Sequence, residues 1–271
     1  MDTKLLLAGC GKMGGALLDG WLDQGLAPGS ITVIEPNADT ARTLGTGKGV
    51  TVVAAPDDLD DGYRPEIVVF ALKPQIMAEA VPAYRRFAGT GAVNLSIAAG
   101  KTIGFFESRL GTRAAIVRAM PNTPAAVRRG IAVACANAAV TAEQRGLCQT
   151  LLDAVSEVLW IEDESLMDAV TAVSGSGPAY VFLLAECLAD AGIAAGLPAD
   201  LAHRLARATV AGAGELLHRA TDSPSTLRAN VTSPGGTTAA ALDVLMAGNG
   251  LQPLLTKAVA AAVKRSKELA D

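Results

Sequence analysis

Leu5–Leu6–Leu7–Ala8 runs without a break into Gly9–Cys10–Gly11–Lys12–Met13–Gly14, and the chain then takes up the helical pattern Gly15–Gln24. Four apolar residues without polar alternation fit a strand buried on both faces. The glycines that follow fit a G-x-G-x-x-G turn, where bare backbone lets N–H groups at a helix start approach a pyrophosphate. Such a turn alone is a weak signal. The strand before it, the helix after it and its place at the chain start point to dinucleotide binding. Gly9, Gly11, Lys12, Met13 and Gly14 are the first candidate cofactor residues.

Outward from this turn, short apolar runs alternate with helical or turn segments as far as Trp160, the pattern of a parallel sheet covered by helices. The expected strands are Lys4–Ala8, Ile31–Glu35, Val50–Ala54, Ile67–Ala71, Ala92–Leu95, Ala114–Arg118, Ile131–Cys135 and Glu157–Trp160. Beyond Trp160 the texture changes to alanine-rich helical stretches with no further clear strand. Helices are expected over Glu164–Val173, Pro178–Ala191, Ala199–Leu217, Ser223–Asn230, Thr237–Ala247 and Leu251–Leu269. The sequence thus predicts an α/β Rossmann-type dinucleotide-binding domain over 1–161 and an all-helical domain over 162–271.

Half of the 271 residues are hydrophobic but only 4% are aromatic, so the interior is packed with Ala, Val, Leu and Ile, which suits close helix packing and extensive subunit contact. The net charge is −4 and Lys and Arg are scattered, which argues against a nucleic-acid partner. No apolar stretch is expected to approach the roughly 20 residues that span a bilayer, so no membrane contact and a cytoplasmic location are expected. Cys10, Cys135, Cys148 and Cys187 form no CxxC and are expected to be reduced packing residues. With only His203 and His218, both expected to face solvent, no metal site and no Ser-His relay are expected.

Glu35 lies 21 residues beyond Gly14, at the end of the second expected strand, where it would meet the adenosine ribose. A carboxylate there accepts hydrogen bonds from ribose hydroxyls and repels a 2′-phosphate, which favours NADH. Asn37 and Arg42 just downstream could instead hold a phosphate, which favours NADPH, and Glu35 could also simply end a strand near solvent. Two further strand ends, Ala71–Leu72–Lys73–Pro74 and Ser96–Ile97–Ala98, reach the same edge, where small residues leave room for a nicotinamide. Taken alone, Lys73 also reads as a solvated strand-end lysine.

In the second half, Asn230–Val231–Thr232–Ser233–Pro234–Gly235–Gly236–Thr237–Thr238 stops one helix and starts another. A bare helix start presents free N–H groups that bind anions, so the amides near Gly236–Thr238 could hold a small carboxylate. The plainer alternative is a capped helix start, with Ser233 or Thr237 as the cap.

These segments together resemble the pyrroline-5-carboxylate reductase family along essentially the whole chain. The resemblance rests on Gly9–Gly14, Leu72–Lys73–Pro74–Gln75, Ser96–Gly100, Arg118–Ala119–Met120–Pro121–Asn122–Thr123–Pro124–Ala125, Val173–Ser174–Gly175–Ser176–Gly177–Pro178–Ala179–Tyr180 and Val231–Leu242. Its most specific mark is Pro-Gly-Gly-Thr-Thr at Pro234–Thr238. It implies that the second half is an all-α dimerisation domain through which two chains interlock, with assembly into homodimers and higher oligomers such as a decamer. The implied substrate is a cyclic imine carboxylate, its carboxylate held by Ser233, Gly235, Gly236, Thr237 and Thr238. Thr238, near the ring nitrogen, is the implied catalytic residue. Asn230, Ala71–Pro74 and Ser96–Ala98 are implied cofactor contacts. Many relatives carry Ser, Arg or Asn where this chain has Glu35–Pro36–Asn37, so the cofactor is left as NADPH or NADH.

Three rival readings stand beside this one. A hydroxy-acid dehydrogenase of similar build needs a lysine base on the first helix of the second domain, and Ser174–Leu188 contains no lysine. A catalytically silent nicotinamide-binding regulator would not need an anion-accepting loop. A reductase of a related cyclic imine acid would share every feature above. Ser174–Pro178 reads as a close-packed break between helices, with a wall of the substrate site as the alternative.

Overall fold

The computed structural model describes residues 3–270. Eight strands, β1 Leu5–Ala8, β2 Ile31–Ile34, β3 Thr51–Val53, β4 Ile67–Phe70, β5 Val93–Ser96, β6 Ala115–Met120, β7 Gly130–Ala136 and β8 Ser156–Trp160, form one sheet ordered β3-β2-β1-β4-β5-β6-β7-β8. Each expected strand is present. Around them lie helices α1 Lys12–Asp23, α2 Ala38–Lys48, α3 Met77–Ala80, α4 Ile103–Leu110 and α5 Ala142–Asp153. The chain continues through α6 Met167–Val170, α7 Gly177–Ala194, α8 Ala199–Arg219, α9 Pro224–Asn230, α10 Thr237–Leu245 and α11 Leu251–Ala270.

The alternation of side chains along each strand builds two cores. Leu5 and Leu7, with Ile31, Val33, Val69 and Leu95, pack with Leu17, Leu18 and Trp21 of α1 and with Leu151 and Leu152 of α5. Leu6 and Ala8 point the other way, to Phe70, Tyr84, Phe87 and Phe106. The Trp21 indole N–H donates to the Leu151 carbonyl at 2.8 Å, which satisfies the one polar group that ring takes into the core.

The sheet departs from the expected parallel pattern at one place, because β7 runs antiparallel to β6. Only residues 121–129 join the two strands, too short a link for the crossover a parallel pair requires. A 3-10 turn over Thr123–Val127 and Arg128 at φ 56° make the reversal.

By packing, the chain divides into one unit of residues up to Gly175 together with those from Val263 onward, and another of Ser176–Ala262. In the second unit α7 and α8 approach closely through small residues: a Cβ on Gly192 would lie 3.4 Å from that of Ala202, and Ala189, Ala202 and Ala206 are buried. Val181, Phe182, Leu183, Leu184 and Leu188 of α7 stand exposed in the single chain.

Three expectations are corrected here. The expected break at Ser174–Pro178 is a change of pitch: Thr171–Gly175 forms a π turn, and the helix runs on from Glu164 to Ala194. That 31-residue run is long and apolar enough, by length and composition, to cross a bilayer, contrary to the expectation that no stretch approaches that length. Among the cysteines, Cys135 and Cys148 are buried and Cys10 is partly buried, but Cys187 is exposed on α7, so it is not a packing residue within the chain. His203 and His218 are exposed, as expected.

Candidate active-site elements

The glycine turn is built as its chemistry requires. Gly9 takes φ +88°, donates its N–H to the Ile34 carbonyl at 3.1 Å, and has no room for a side chain: a Cβ there would lie 2.8 Å from Leu72 Cδ2 and 3.1 Å from the Ala71 oxygen. Gly11, the residue before α1, faces open space, with nothing within 4 Å of a Cβ added to it. No side chain caps α1, and its first turn carries no acid. The leading amides of that helix are thus turned toward an open, side-chain-free cradle, which fits a pyrophosphate. Cys10 lies within the turn, but burial, with Glu35 adding to it, pushes its thiol up to about 11. It is therefore neutral and unreactive near pH 7.

Strand order places this cradle at a switch point: β2 lies on one side of β1 and β4 on the other. The carboxyl ends of β1, β2, β4 and β5 bring Gly9–Gly14, Glu35, Asn37, Ala71–Pro74 and Ser96–Ala98 to one edge of the sheet. Glu35 stands just past β2, half-buried, and its carboxylate accepts the Asn37 N–H at 3.0 Å. The Asn37 side chain caps α2 by accepting the Thr40 N–H at 2.9 Å. Arg42 pairs with Asp39 at 2.9 Å, both exposed, a pairing weak enough to be given up to a stronger anion. Lys73 is exposed. Ser96 is buried, its hydroxyl accepting the Ala98 N–H at 3.2 Å, and the Ile97 N–H donates to the Phe70 carbonyl at 3.1 Å. The Ser96–Ala98 backbone is thus fixed beside β4.

The remaining candidates belong to the helical unit. Asn230 ends α9 and is exposed. Gly235 takes φ +68°, and the Gly236 N–H closes the turn onto the Ser233 carbonyl at 3.0 Å. Gly236 precedes α10 in extended backbone, and neither Ser233 nor Thr237 caps the helix, so the plainer reading of this segment as a capped start does not hold. The first turn of α10 carries no acid. Thr238 is half-buried at its second position, while Ser233, Gly235 and Thr237 are exposed.

Two features escape a reading of the sequence. Arg118 on β6 is buried and pairs with Glu164 at 2.7 Å, and the same carboxylate oxygen accepts the Ile103 N–H at 2.8 Å. Asn122 donates to the Ser174 carbonyl at 3.1 Å and accepts the Ile131 N–H at 3.0 Å, so it ties the strand reversal to the π turn. Beside it, a Cβ on Gly175 would lie 2.5 Å from Met120 Cε. Met120 and Asn122 are therefore packed on Ser174 and Gly175. A charged residue in the middle of an apolar strand was the one signal in the sequence.

A Rossmann-type sheet with a glycine cradle at its first strand, followed by an all-helical half, defines a class of two-domain dinucleotide-dependent oxidoreductases. Residues 164–269 match the family described as pyrroline-5-carboxylate reductase dimerisation, and residues 4–100 match that described as NADP oxidoreductase coenzyme F420-dependent. The chain is 38% identical over 268 residues to a pyrroline-5-carboxylate reductase of Pseudomonas aeruginosa, covering 99% of this chain and 97% of that one. It is similar to the structure of a pyrroline-5-carboxylate reductase from Coxiella burnetii (TM-score 0.93, 34% identity, both chains covered in full). It also resembles the Plasmodium falciparum pyrroline carboxylate reductase crystallised with NADP bound (TM-score 0.83, 29% identity, 99% of this chain and 98% of that one). The chain belongs to the pyrroline-5-carboxylate reductase family.

Proposed function

We propose that the protein reduces 1-pyrroline-5-carboxylate to L-proline with hydride from NADPH or NADH, the last step of proline biosynthesis. The observation that carries this reading is the uncapped, acid-free start of α10 in the sequence Pro-Gly-Gly-Thr-Thr. Such an end suits the carboxylate of a cyclic imine acid, held by Ser233, Gly235, Gly236, Thr237 and Thr238. Thr238 hydrogen-bonds the ring nitrogen, directly or through a water. Gly9, Gly11, Lys12, Met13, Gly14, Glu35, Asn37, Ala71–Pro74, Ser96–Ala98 and Asn230 hold the dinucleotide, whose nicotinamide supplies the hydride. A C=N bond accepts hydride readily once its nitrogen carries a proton, and a pyrroline imine can carry one near neutral pH. The residues therefore contribute position and polarity, and no strong protein acid is needed.

The functional division falls between 161 and 162. The exposed apolar residues of α7 suit burial against a second copy, and the match of residues 164–269 to a dimerisation family supports a homodimer. Assembly beyond the dimer, such as a decamer, and a cytoplasmic location away from membranes and nucleic acid complete the reading. The experiment is to follow NADH and NADPH oxidation separately with pyrroline-5-carboxylate and with its six-membered homologue. Faster turnover of the five-membered ring is expected. Consumption only with the six-membered ring would move the assignment to a related cyclic imine acid, and none with any cyclic imine acid would favour the silent regulator.

A further inference from the structure

We infer that the last turns of α11, through Ser266 and Leu269, form a latch that pre-sets the Ser96–Gly100 segment for the cofactor; the inference rests on assigning Ser96–Ala98 to the nicotinamide. The segment between β5 and α4 is tied at both ends. At its start the Ile97 N–H donates to the Phe70 carbonyl at 3.1 Å, and the Ala98 N–H to the Ser96 hydroxyl at 3.2 Å. At its end the Thr102 hydroxyl accepts the Phe105 N–H at 3.1 Å, and the Ile103 N–H donates to Glu164 at 2.8 Å.

Between these points the chain turns through Gly100, buried and at φ +75°, and it rests there on α11. A Cβ on Gly100 would lie 3.2 Å from the Leu269 carbonyl oxygen and 3.6 Å from the Leu269 Cβ. Ser266, one turn earlier on α11 and also buried, donates its hydroxyl to Asp168 at 2.6 Å. Glu164 and Asp168 lie one turn apart at the start of the same helical run. One anchor therefore fixes both sides of the segment: Glu164 holds the start of α4, and Asp168 holds the helix that supports Gly100.

Such a latch acts on the free protein. Releasing it lets the segment sample other turns, and apparent cofactor affinity falls by the fraction of chains in the competent one. Once cofactor is bound, the segment is re-formed and the chemical step is intact. Ser266 and Leu269 are thus positioning residues, with a signature in KM and not in kcat.

The test compares the wild-type chain with Ser266→Ala, Ser266→Thr and a chain ending at Arg265, using nicotinamide fluorescence to titrate NADH and NADPH without substrate. Ser266→Ala is expected to weaken binding of the better cofactor roughly threefold and the truncation roughly tenfold. Ser266→Thr, which keeps the hydroxyl, should stay near wild type, and kcat at saturating cofactor should hold within about twofold in all. An unchanged dissociation constant in a cooperatively folded truncation, or in Ser266→Ala if the truncation does not fold, overturns the latch. If the wild-type chain binds neither cofactor, the functional reading fails. The latch is then judged by hydrogen exchange at residues 97–103, which must quicken in Ser266→Ala or the latch fails too.

Discussion

A Cβ on Gly14 would stand 2.5 Å from the carbonyl oxygen of Gly9 and 3.1 Å from the Cβ of Ala71. Neither neighbour can swing away, since one is backbone and the other is anchored to it. Gly14→Ala must therefore displace the start of α1 from β1, at a cost of about 1–3 kcal/mol, with cofactor binding lost as the cradle opens. Gly11→Ala meets no atom within 4 Å and sits at φ −71°, so the fold tolerates it while the methyl group intrudes on the pyrophosphate side. Thermal melts paired with cofactor titration should separate the two: Gly14→Ala loses stability and binding, Gly11→Ala binding alone.

Glu35 is the residue proposed to decide between the two dinucleotides. Its carboxylate is held by the Asn37 amide at the edge where the ribose would lie, and Arg42 is tied only to an exposed Asp39. Replacing it with a neutral acceptor removes repulsion from a 2′-phosphate, which Arg42 can answer by giving up its exposed pair with Asp39. Glu35→Ser should raise kcat/KM for NADPH relative to NADH by roughly tenfold, about 1.4 kcal/mol of discrimination. Steady-state kinetics with both cofactors check this, and an unchanged ratio would remove Glu35 from the ribose site.

What was legible in the sequence was whatever repeats locally. Apolar runs such as Leu5–Ala8 and Ile67–Phe70 mark buried strands because no water-facing residue interrupts them, and Gly9 and Gly14 mark a turn that only glycine fits. The antiparallel β7 was missed because strand direction depends on the length of residues 121–129, not on the composition of the strand. The glycines and serines of Ser174–Pro178 mark a break, and nothing local in the sequence marks the π turn that Thr171–Gly175 forms just before it. Arg118–Glu164 and Asn122–Ser174 join residues 46 and 52 positions apart, and no local pattern encodes such pairs.

Arg118 is enclosed on β6, with Glu164 as its acidic partner at 2.7 Å. Glu164→Ala would leave a buried cation uncompensated and also strip the Ile103 N–H of its acceptor. A loss of about 3–5 kcal/mol is expected for breaking such a pair on one side. The double variant Arg118→Met/Glu164→Ala should recover a large part of it, because an apolar side chain suits the site once the charge is gone. Urea unfolding of the two variants measures the difference; equal losses would mean the charge is not what destabilises.

Cys148 is fully buried on α5, and that burial pushes its thiol from the ordinary 9.0 up to about 12. In the unfolded chain the thiol ionises near pH 9, whereas in the fold it stays protonated. Its contribution to stability is therefore complete below pH 9 and is lost as pH rises from 9 toward 12. Between pH 8 and pH 11 the wild-type chain should lose about 2–3 kcal/mol more than Cys148→Ala. Cys10 and Cys135, both raised to about 11, move the same way in both proteins and drop out of the comparison. Urea titrations at the two pH values read the effect, and parallel losses would show that the thiol ionises freely in the fold.

Thr238 sits at the second position of an uncapped α10, half-buried, with the amides of its own turn beside it. On the proposed function those amides hold the substrate carboxylate through backbone, which a side-chain change leaves in place. The role proposed for the hydroxyl is to serve the ring nitrogen, where the polarity changes as hydride arrives. Thr238→Ala should therefore lower kcat by roughly ten- to a hundredfold with a smaller change in KM, the pattern of a contact made mainly in the transition state. Thr238→Ser, which keeps the hydroxyl, should restore most of the rate. The helix start has no side-chain cap to lose, so melting temperature should be nearly the same in all three proteins, and unchanged kinetics in the alanine variant would assign turnover to the backbone cradle alone.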